Sequence, residues 1–412
     1  MDFDTCLNRY AELLVCHGLN VQPGQIVNLT GEVIHRKLLQ KLTEAAYKRG
    51  AKYVNVDMID PWHTRQRLLE SKDDKYLNYV PKFIPTKFDE ILDTNGAVLR
   101  LVGSEEPDCL ADLDPGKMNS LQLHIRQTLQ KYYQEGIGKS KVHWTVAAAA
   151  TPKWGKKVFP ELSEDDACQA LWEQIFKICR IDHPDYLKLW KKHDAVLQKR
   201  AQDLTDLKIE KLHFTGPGTD LKVYLSPKAL FKGGGHLGPH GVPYEANIPT
   251  EECFTTPDCR RTEGKAKVTR PFLIHGTMIK GLTLTFVDGN IVDFKADEGE
   301  AAFAAYIQSD AAAKRLGEVA LVGIDSPIYQ SGRIFEEILY DENAACHIAI
   351  GFAYRYCIEG GDKMNSDELA AIGCNDSHVH TDMMISTEEV DVHAETYDGK
   401  SLSLIRKGKW VL

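Results

Sequence analysis

Hydrophobic positions along the chain follow two periods. Phe3, Leu7, Tyr10 and Leu14 recur at helical spacing, and Gly18 is a natural stop. "QIVNLT" then reads as a strand, "HRKLLQKLTEAAYKRG" as a helix ending at Gly50, and "KYVNVDMID" as a strand in which Val54, Val56 and Met58 alternate. Strand, helix and strand with short connections predict a right-handed parallel crossover. "GAVLRLVG" and "HWTVAAAAT" continue as buried strands, and "SEDDACQALWEQIFKICR" predicts a helix capped by Ser163 and Asp166. Residues 1–200 therefore read as an α/β domain with parallel strands.

The texture changes after the charged helix "PDYLKLWKKHDAVLQKRAQDL". "KLHFTGPGTDLKVYLS" and "LTLTFVDGNIVDFKAD" read as strand pairs around glycine-containing turns, and Asp288-Gly289 is a hairpin signal. Two helices, "EAAFAAYIQSDAAAKRLG" and "RIFEEILYDENA", are expected among these strands. Residues 201–412 read as an α+β domain. The length agrees with two domains, because single cores stop growing near ~250–300 residues.

Charge and composition narrow the function. The net charge of −9 comes with no run of Lys and Arg that would build a basic face, which argues against nucleic acid as a partner. No stretch approaches the ~20 apolar residues of a membrane span. The start of the chain has neither the basic residues nor the apolar core of a signal peptide. Ten Cys without a CxxC pair suggest thiols in a reducing compartment. The expectation is a cytoplasmic protein with no membrane contact.

The candidate chemistry lies in the second half. "NDSHVHTDMMIS" spaces His378, His380 and Asp382 two apart, so a strand would project all three from one face, a set suited to a divalent cation. A polar strand edge would look the same. "NIPTEECFTTPD" holds Glu251 and Glu252 between Pro249 and Pro257; in an extended segment only one of them can face a given site. Glu318 follows Gly317 at the head of a buried strand, either as a solvated end or as a site residue. His347 sits inside an apolar run, where a histidine is ordinarily a hydrogen-bonded core residue. Five or six such ligands are what two divalent ions need. Two ions ~3.5–4 Å apart suit hydrolysis of an unactivated amide.

These fragments resemble the thermophilic-type metallo-aminopeptidases, the family of aminopeptidase T, aminopeptidase S and PepS. "NIPTEECFTTPD", "LGEVALVGIDSPI", "DENAACHIAIGFAY" and "HVHTDMMIS" arrive in the family's order, and "YAELLVCHGLNVQPGQ", "AAAATPKWGKKVFP" and "FTGPGTDLKVYL" match as well. The resemblance implies an aminopeptidase acting on peptides with a free N-terminus, a homodimer, and two divalent ions per chain, Zn or Co, with Mn compatible. It implies Glu252, Glu318, His347, His380 and Asp382 as ligands, and Tyr354 as the catalytic residue. It selects Glu252 over Glu251. The stretch after "MMIS" departs from the family pattern, which touches specificity more than metal binding. His378 is not a family ligand; a substrate-facing or supporting role is expected for it. His347 and Tyr354 are seven apart, so both reach one site only if the chain bends, with Gly351 the expected place.

Competing readings are a catalytically idle metal-binding scaffold on the same fold, and a nucleotide-dependent oxidoreductase using "GGGHLG" at 233–238. The latter requires a strand before the glycines and a helix after them, and Pro239 follows at once. A flexible loop is the expectation there.

Overall fold

The computed structural model describes Asp2–Leu412. It divides into two compact units. One comprises the segment ending at Leu113 with His124–Ala195 and Gly234–Thr250; the other comprises Asp114–Leu123, Val196–Gly233 and Glu251–Leu412.

The first unit is built on a parallel sheet of β1 (Ile26–Glu32), β2 (Tyr53–Ile59), β3 (Ala97–Val102) and β4 (His143–Ala148). Its spatial order is β2-β1-β3-β4, and the short strand Asn247–Ile248 pairs beside β4. Helices Arg36–Lys48 and Glu164–Ile178 occupy the segments predicted to be helical. Ser163 Oγ accepts the Asp166 N–H, capping the second. This is the α/β arrangement the sequence predicts.

The second unit packs two antiparallel sheets. The larger runs, in spatial order, Asn290–Lys295, Thr283–Val287, Pro257–Lys267, Thr219–Leu225, Ile209–Gly216, Asp391–Thr396, Ser401–Arg406 and Lys409–Trp410. Asp288 and Gly289 both have positive φ at the expected hairpin turn. The smaller sheet has the order β5 (Cys253–Thr255), β6 (Leu316–Leu321), β7 (His347–Gly351) and β8 (His380–Met384). Val319, Leu321, Ile348, Ile350 and Met383 join Leu212, Phe214, Val223 and Leu225 of the large sheet in one core. Strand alternation leaves Glu318, Ala320, His347, Ala349, His380 and Asp382 to the opposite face.

Two predicted helices are much shorter than their patterns suggest. The run over 300–317 is helical only for Glu300–Tyr306. Beyond it, Asp310 Oδ1 accepts the Ala312 N–H, while Oδ2 accepts the Ser377 hydroxyl and the His378 N–H. Side-chain bonds of this kind give the backbone an alternative to the helix. The run over 333–344 contributes one turn, Ile338–Asp341, followed by a tighter turn at Glu342–Ala344.

Gly351 ends β7 with a φ of +95°. A side chain there would run into the Val379 carbonyl oxygen. The chain turns at this point, as the spacing of His347 and Tyr354 requires. Gly351→Val is expected to cost about 1–3 kcal/mol or more, since it adds a clash to a left-handed backbone that a β-branched residue avoids. A lower Tm than wild type checks this; an unchanged Tm refutes it.

Candidate metal centre

Register across the smaller sheet assembles the site. Glu318 lies opposite Ala349, and Ala349 opposite Asp382, so two acids flank one small side chain. His347 is paired with Ala320 on one side, and His380 with Gly351. Alanine and glycine at these positions leave space where a larger residue would fill the face. The register shifts at Gly317, between Leu316 and Glu318. A side chain at Gly317 would collide with the carbonyl oxygens of Gly351 and Phe352.

Five residues singled out in the sequence meet here. His347 Nε2 lies 3.1 Å from Glu252 Oε2 and 3.8 Å from Glu318 Oε1. His380 Nε2 lies 3.6 Å from Glu318 Oε2 and 3.6 Å from Asp382 Oδ1. Glu318 therefore turns one oxygen toward each imidazole. Glu252, Glu318 and His347 form one group whose ligand atoms lie within 4.8 Å of one another; Glu318, His380 and Asp382 form a second. Glu252 Oε2 is buried without a hydrogen-bond partner despite its closeness to His347.

Backbone carbonyls orient both imidazoles. His347 Nδ1 sits 3.1 Å from the Ala345 carbonyl, and His380 Nδ1 sits 2.8 Å from the Phe352 carbonyl. Carbonyls only accept, so each ring carries its proton on Nδ1 and presents Nε2 to the acids. The Tyr306 hydroxyl fixes the His380 backbone, donating to its carbonyl and accepting its N–H.

Glu342 is a further acid that sequence reading did not single out. It is buried beside Asn343, whose Nδ2 donates to Glu342 Oε1 at 3.3 Å and whose Oδ1 accepts the Glu251 N–H at 2.7 Å. One asparagine thus ties the Glu251-Glu252 step to Glu342. The pattern of residues 333–344 predicts a helix, where an acid is ordinarily solvated. The tighter turn buries it instead. The available signal was an acid five residues before His347, in a polar step Asp341-Glu342-Asn343 set between apolar residues.

Crowding shifts the ionisation of the whole set. Burial, then the carboxylates of Glu252 and Asp382, push Glu318 up to about 7, against the pull of His347. Burial, then Asp382 and Glu252, push Glu342 well above the ordinary carboxyl range. Burial opposes charge on both imidazoles, but the acids outweigh it: His380 rises to about 9 beside Asp382 and Glu318, and His347 well above its usual value beside Glu252 and Glu318. Burial pushes Asp382 up, but the charge and hydrogen bond of His380, with His347 and Glu342, together bring it below its usual value. Four carboxyls and two imidazoles, out of water and short of positive charge, are a donor set that fits divalent cations.

Tyr354 lies past the bend. Its ring centroid is 5.4 Å from that of His380, and Tyr356 stacks on it at 5.2 Å. The Tyr354 carbonyl accepts the Thr256 hydroxyl at 2.9 Å. His378 precedes β8 rather than belonging to it, so the alternation expected to align it with His380 does not extend that far. The 233–238 stretch does not form a dinucleotide loop: His236–Leu237 pairs with Pro243–Tyr244 in a short hairpin, and a single tight turn at Pro239–Gly241 lies between them.

The model for the thermophilic metalloprotease family, M29, matches residues 3–410. Aminopeptidase PepS of Streptococcus thermophilus is 38% identical over 412 residues, covering 100% of this chain and 99% of that protein. Aminopeptidase AmpS of Bacillus subtilis is 38% identical, with 99% of each chain covered. The structure of wild-type AmpT from Thermus thermophilus superposes with a TM-score of 0.89 at 35% identity, covering 100% of both chains. Among the described residues no helix is long and apolar enough to cross a membrane. The chain belongs to the M29 family of thermophilic metalloproteases and is a hydrolase.

Proposed function

We propose that this hydrolase is an aminopeptidase that removes N-terminal residues from peptides, with Glu252, Glu318, His347, His380 and Asp382 holding two divalent cations of the Zn or Co type. The observation that carries this reading is Glu318: its two oxygens face two separate imidazoles, each completed by a different acid. A carboxylate so shared would be available to cations held at either imidazole. When bound, such a pair polarises a carbonyl and lowers the pKa of a water held between the ions.

The chain's own groups supply the rest. His347 and His380 keep a proton on Nδ1, so that displacing the other proton leaves Nε2 to ligate. Glu342 holds a proton near Asp382 in the metal-free chain and is positioned to join the donor set when that proton leaves. Tyr354, beside the His380 ring, presents a phenol for the oxygen that gains charge when the scissile carbonyl is attacked. Phe254, with its ring 6.0 Å from Tyr354, and Tyr356 form an aromatic wall that limits water on that side. One of the site carboxylates, Glu318 or Glu252, is the candidate to carry a proton to the leaving amine. A cytoplasmic homodimer belongs to the same proposal and rests on the resemblance.

Three outcomes test the proposal. First, dialysis against a chelator should abolish hydrolysis of an aminoacyl-nitroanilide, and Zn or Co should restore it; blocking the substrate's amine should also abolish turnover. Full activity without metal, or equal turnover of the blocked substrate, would refute the reading. Second, Tyr354→Phe should lower kcat by about 100-fold with little change in KM, the scale of losing one oxyanion donor; an unchanged kcat removes Tyr354 from the mechanism.

Third, pH should act oppositely on the metal-free fold and on metal loading. Glu318, Glu342, His347 and His380 all hold protons more tightly folded than unfolded. Unfolding therefore releases protons, and the stripped protein should lose stability as pH rises from the ordinary His value of 6.5 through about 9. Asp382 has the opposite sign and matters only as pH falls below its ordinary value of 3.8. Metal binding displaces the same protons and should strengthen over the same range. Thermal melts of stripped and reloaded protein across this range check both slopes; a stripped protein that gains stability toward pH 9 contradicts them.

A further inference from the structure

We propose that the unit carrying the parallel sheet holds a separate cation site, formed by His17, Asp194 and Glu245, for a borderline divalent ion such as Zn2+. One ligand atom from each residue lies within 4.8 Å of the other two. The three come from distant segments. His17 belongs to a wide helical turn, Leu14–Gly18, of the i→i+5 type that often marks functional positions. Asp194 lies on the helix Tyr186–Asp206, and Glu245 lies between the hairpin strand Pro243–Tyr244 and the sheet strand Asn247–Ile248.

A second observation is independent of this proximity. His17 Nε2 is shut off from solvent and has no hydrogen-bond partner. A buried polar atom left in that state ordinarily costs about 1–3 kcal/mol, so a water or an ion is expected to meet it. Burial pushes the His17 imidazole below its ordinary range, against the pull of Asp194, which favours the neutral ring that ligates metals.

Neighbouring groups hold the three segments in place. Asp194 Oδ1 accepts the Gly235 N–H. The Glu245 N–H donates to the Gly18 carbonyl at 2.8 Å, and its carbonyl accepts the Thr145 hydroxyl at 2.8 Å. The His17 ring packs against Trp190 with centroids 5.6 Å apart. The glycine-rich stretch at 233–238, which catalysis does not use, thereby gains a role in holding Asp194. One imidazole nitrogen and two carboxylate oxygens, completed by water, suit Zn2+ or its neighbours; Ca2+ takes 6–8 oxygens, more than this set offers. The ion would clamp the start of the chain, the long helix and the 234–250 excursion together.

The test uses the full chain with the catalytic cluster disabled by Glu318→Gln, His347→Ala and His380→Ala. After Zn2+ loading and passage over a weak chelating resin, this variant should retain about one Zn per chain, and added Zn2+ should raise its Tm. Adding His17→Gln should bring both to background. In the otherwise wild-type enzyme, His17→Gln should remove about one equivalent of metal while leaving kcat on the aminoacyl-nitroanilide unchanged. Should His17→Gln fail to fold, Asp194→Asn or Glu245→Gln must give the same loss. The inference is overturned if the disabled variant retains no Zn, or if its Zn survives these substitutions. A failure of the catalytic proposal gives a different result: wild type and the disabled variant would then hold the same amount of metal.

Discussion

Glu318 stands between two imidazoles at the centre of a cluster of buried acids, and the electrostatics of that cluster governs its surroundings. Carboxylates moved out of water cost several kcal/mol each unless positive charge or protons compensate them. In the metal-free chain the compensation comes from protons: His347 and His380 hold theirs above the usual range, and so do Glu318 and Glu342. Cations bound at the proposed site would take over that role and displace the protons. The same cost explains why the supporting contacts are backbone groups and fixed hydroxyls. The carbonyls of Ala345 and Phe352 and the Tyr306 hydroxyl orient the imidazoles without adding charge.

The smaller sheet reconciles this polar cluster with a hydrophobic core by alternation along its central strand positions. Val319, Ile348, Ile350 and Met383 go to the core, and the residues between them go to the site. Ala320, Ala349 and Gly351 keep the site face open. The turn at Gly351 then brings Tyr354 back beside His380, which a straight strand could not do.

The sequence disclosed these features unevenly. The two-residue spacing of His380 and Asp382 was visible because a strand projects them together, and β8 includes both. His347 looked like an ordinary core histidine, since its apolar neighbours are core residues; only the partners across the sheet distinguish it. Glu252 and Glu251 could not be separated from pattern alone, because their difference lies in which one is buried. Glu342 was hidden by a helix-like pattern that tertiary packing cut to one turn. The helix expected over 300–317 was cut short in the same way, by Asp310 bonding to Ala312, Ser377 and His378, residues that no local period connects. The fold class was legible because α/β crossovers and hairpins are local patterns. The site depends on registers between strands far apart in the chain.

The chain passes between its two compact units more than once, and the parallel sheet receives its last strand, Asn247–Ile248, only after the chain has contributed Val196–Gly233 to the other unit. Four residues later it supplies Glu252. During synthesis, the amino-terminal sheet must therefore wait with its β4 edge uncovered until more than half of the protein has emerged from the ribosome. An uncovered strand edge is open to pairing with other chains. The nascent chain is open to such pairing in that interval, before Glu251–Leu412 has begun to close.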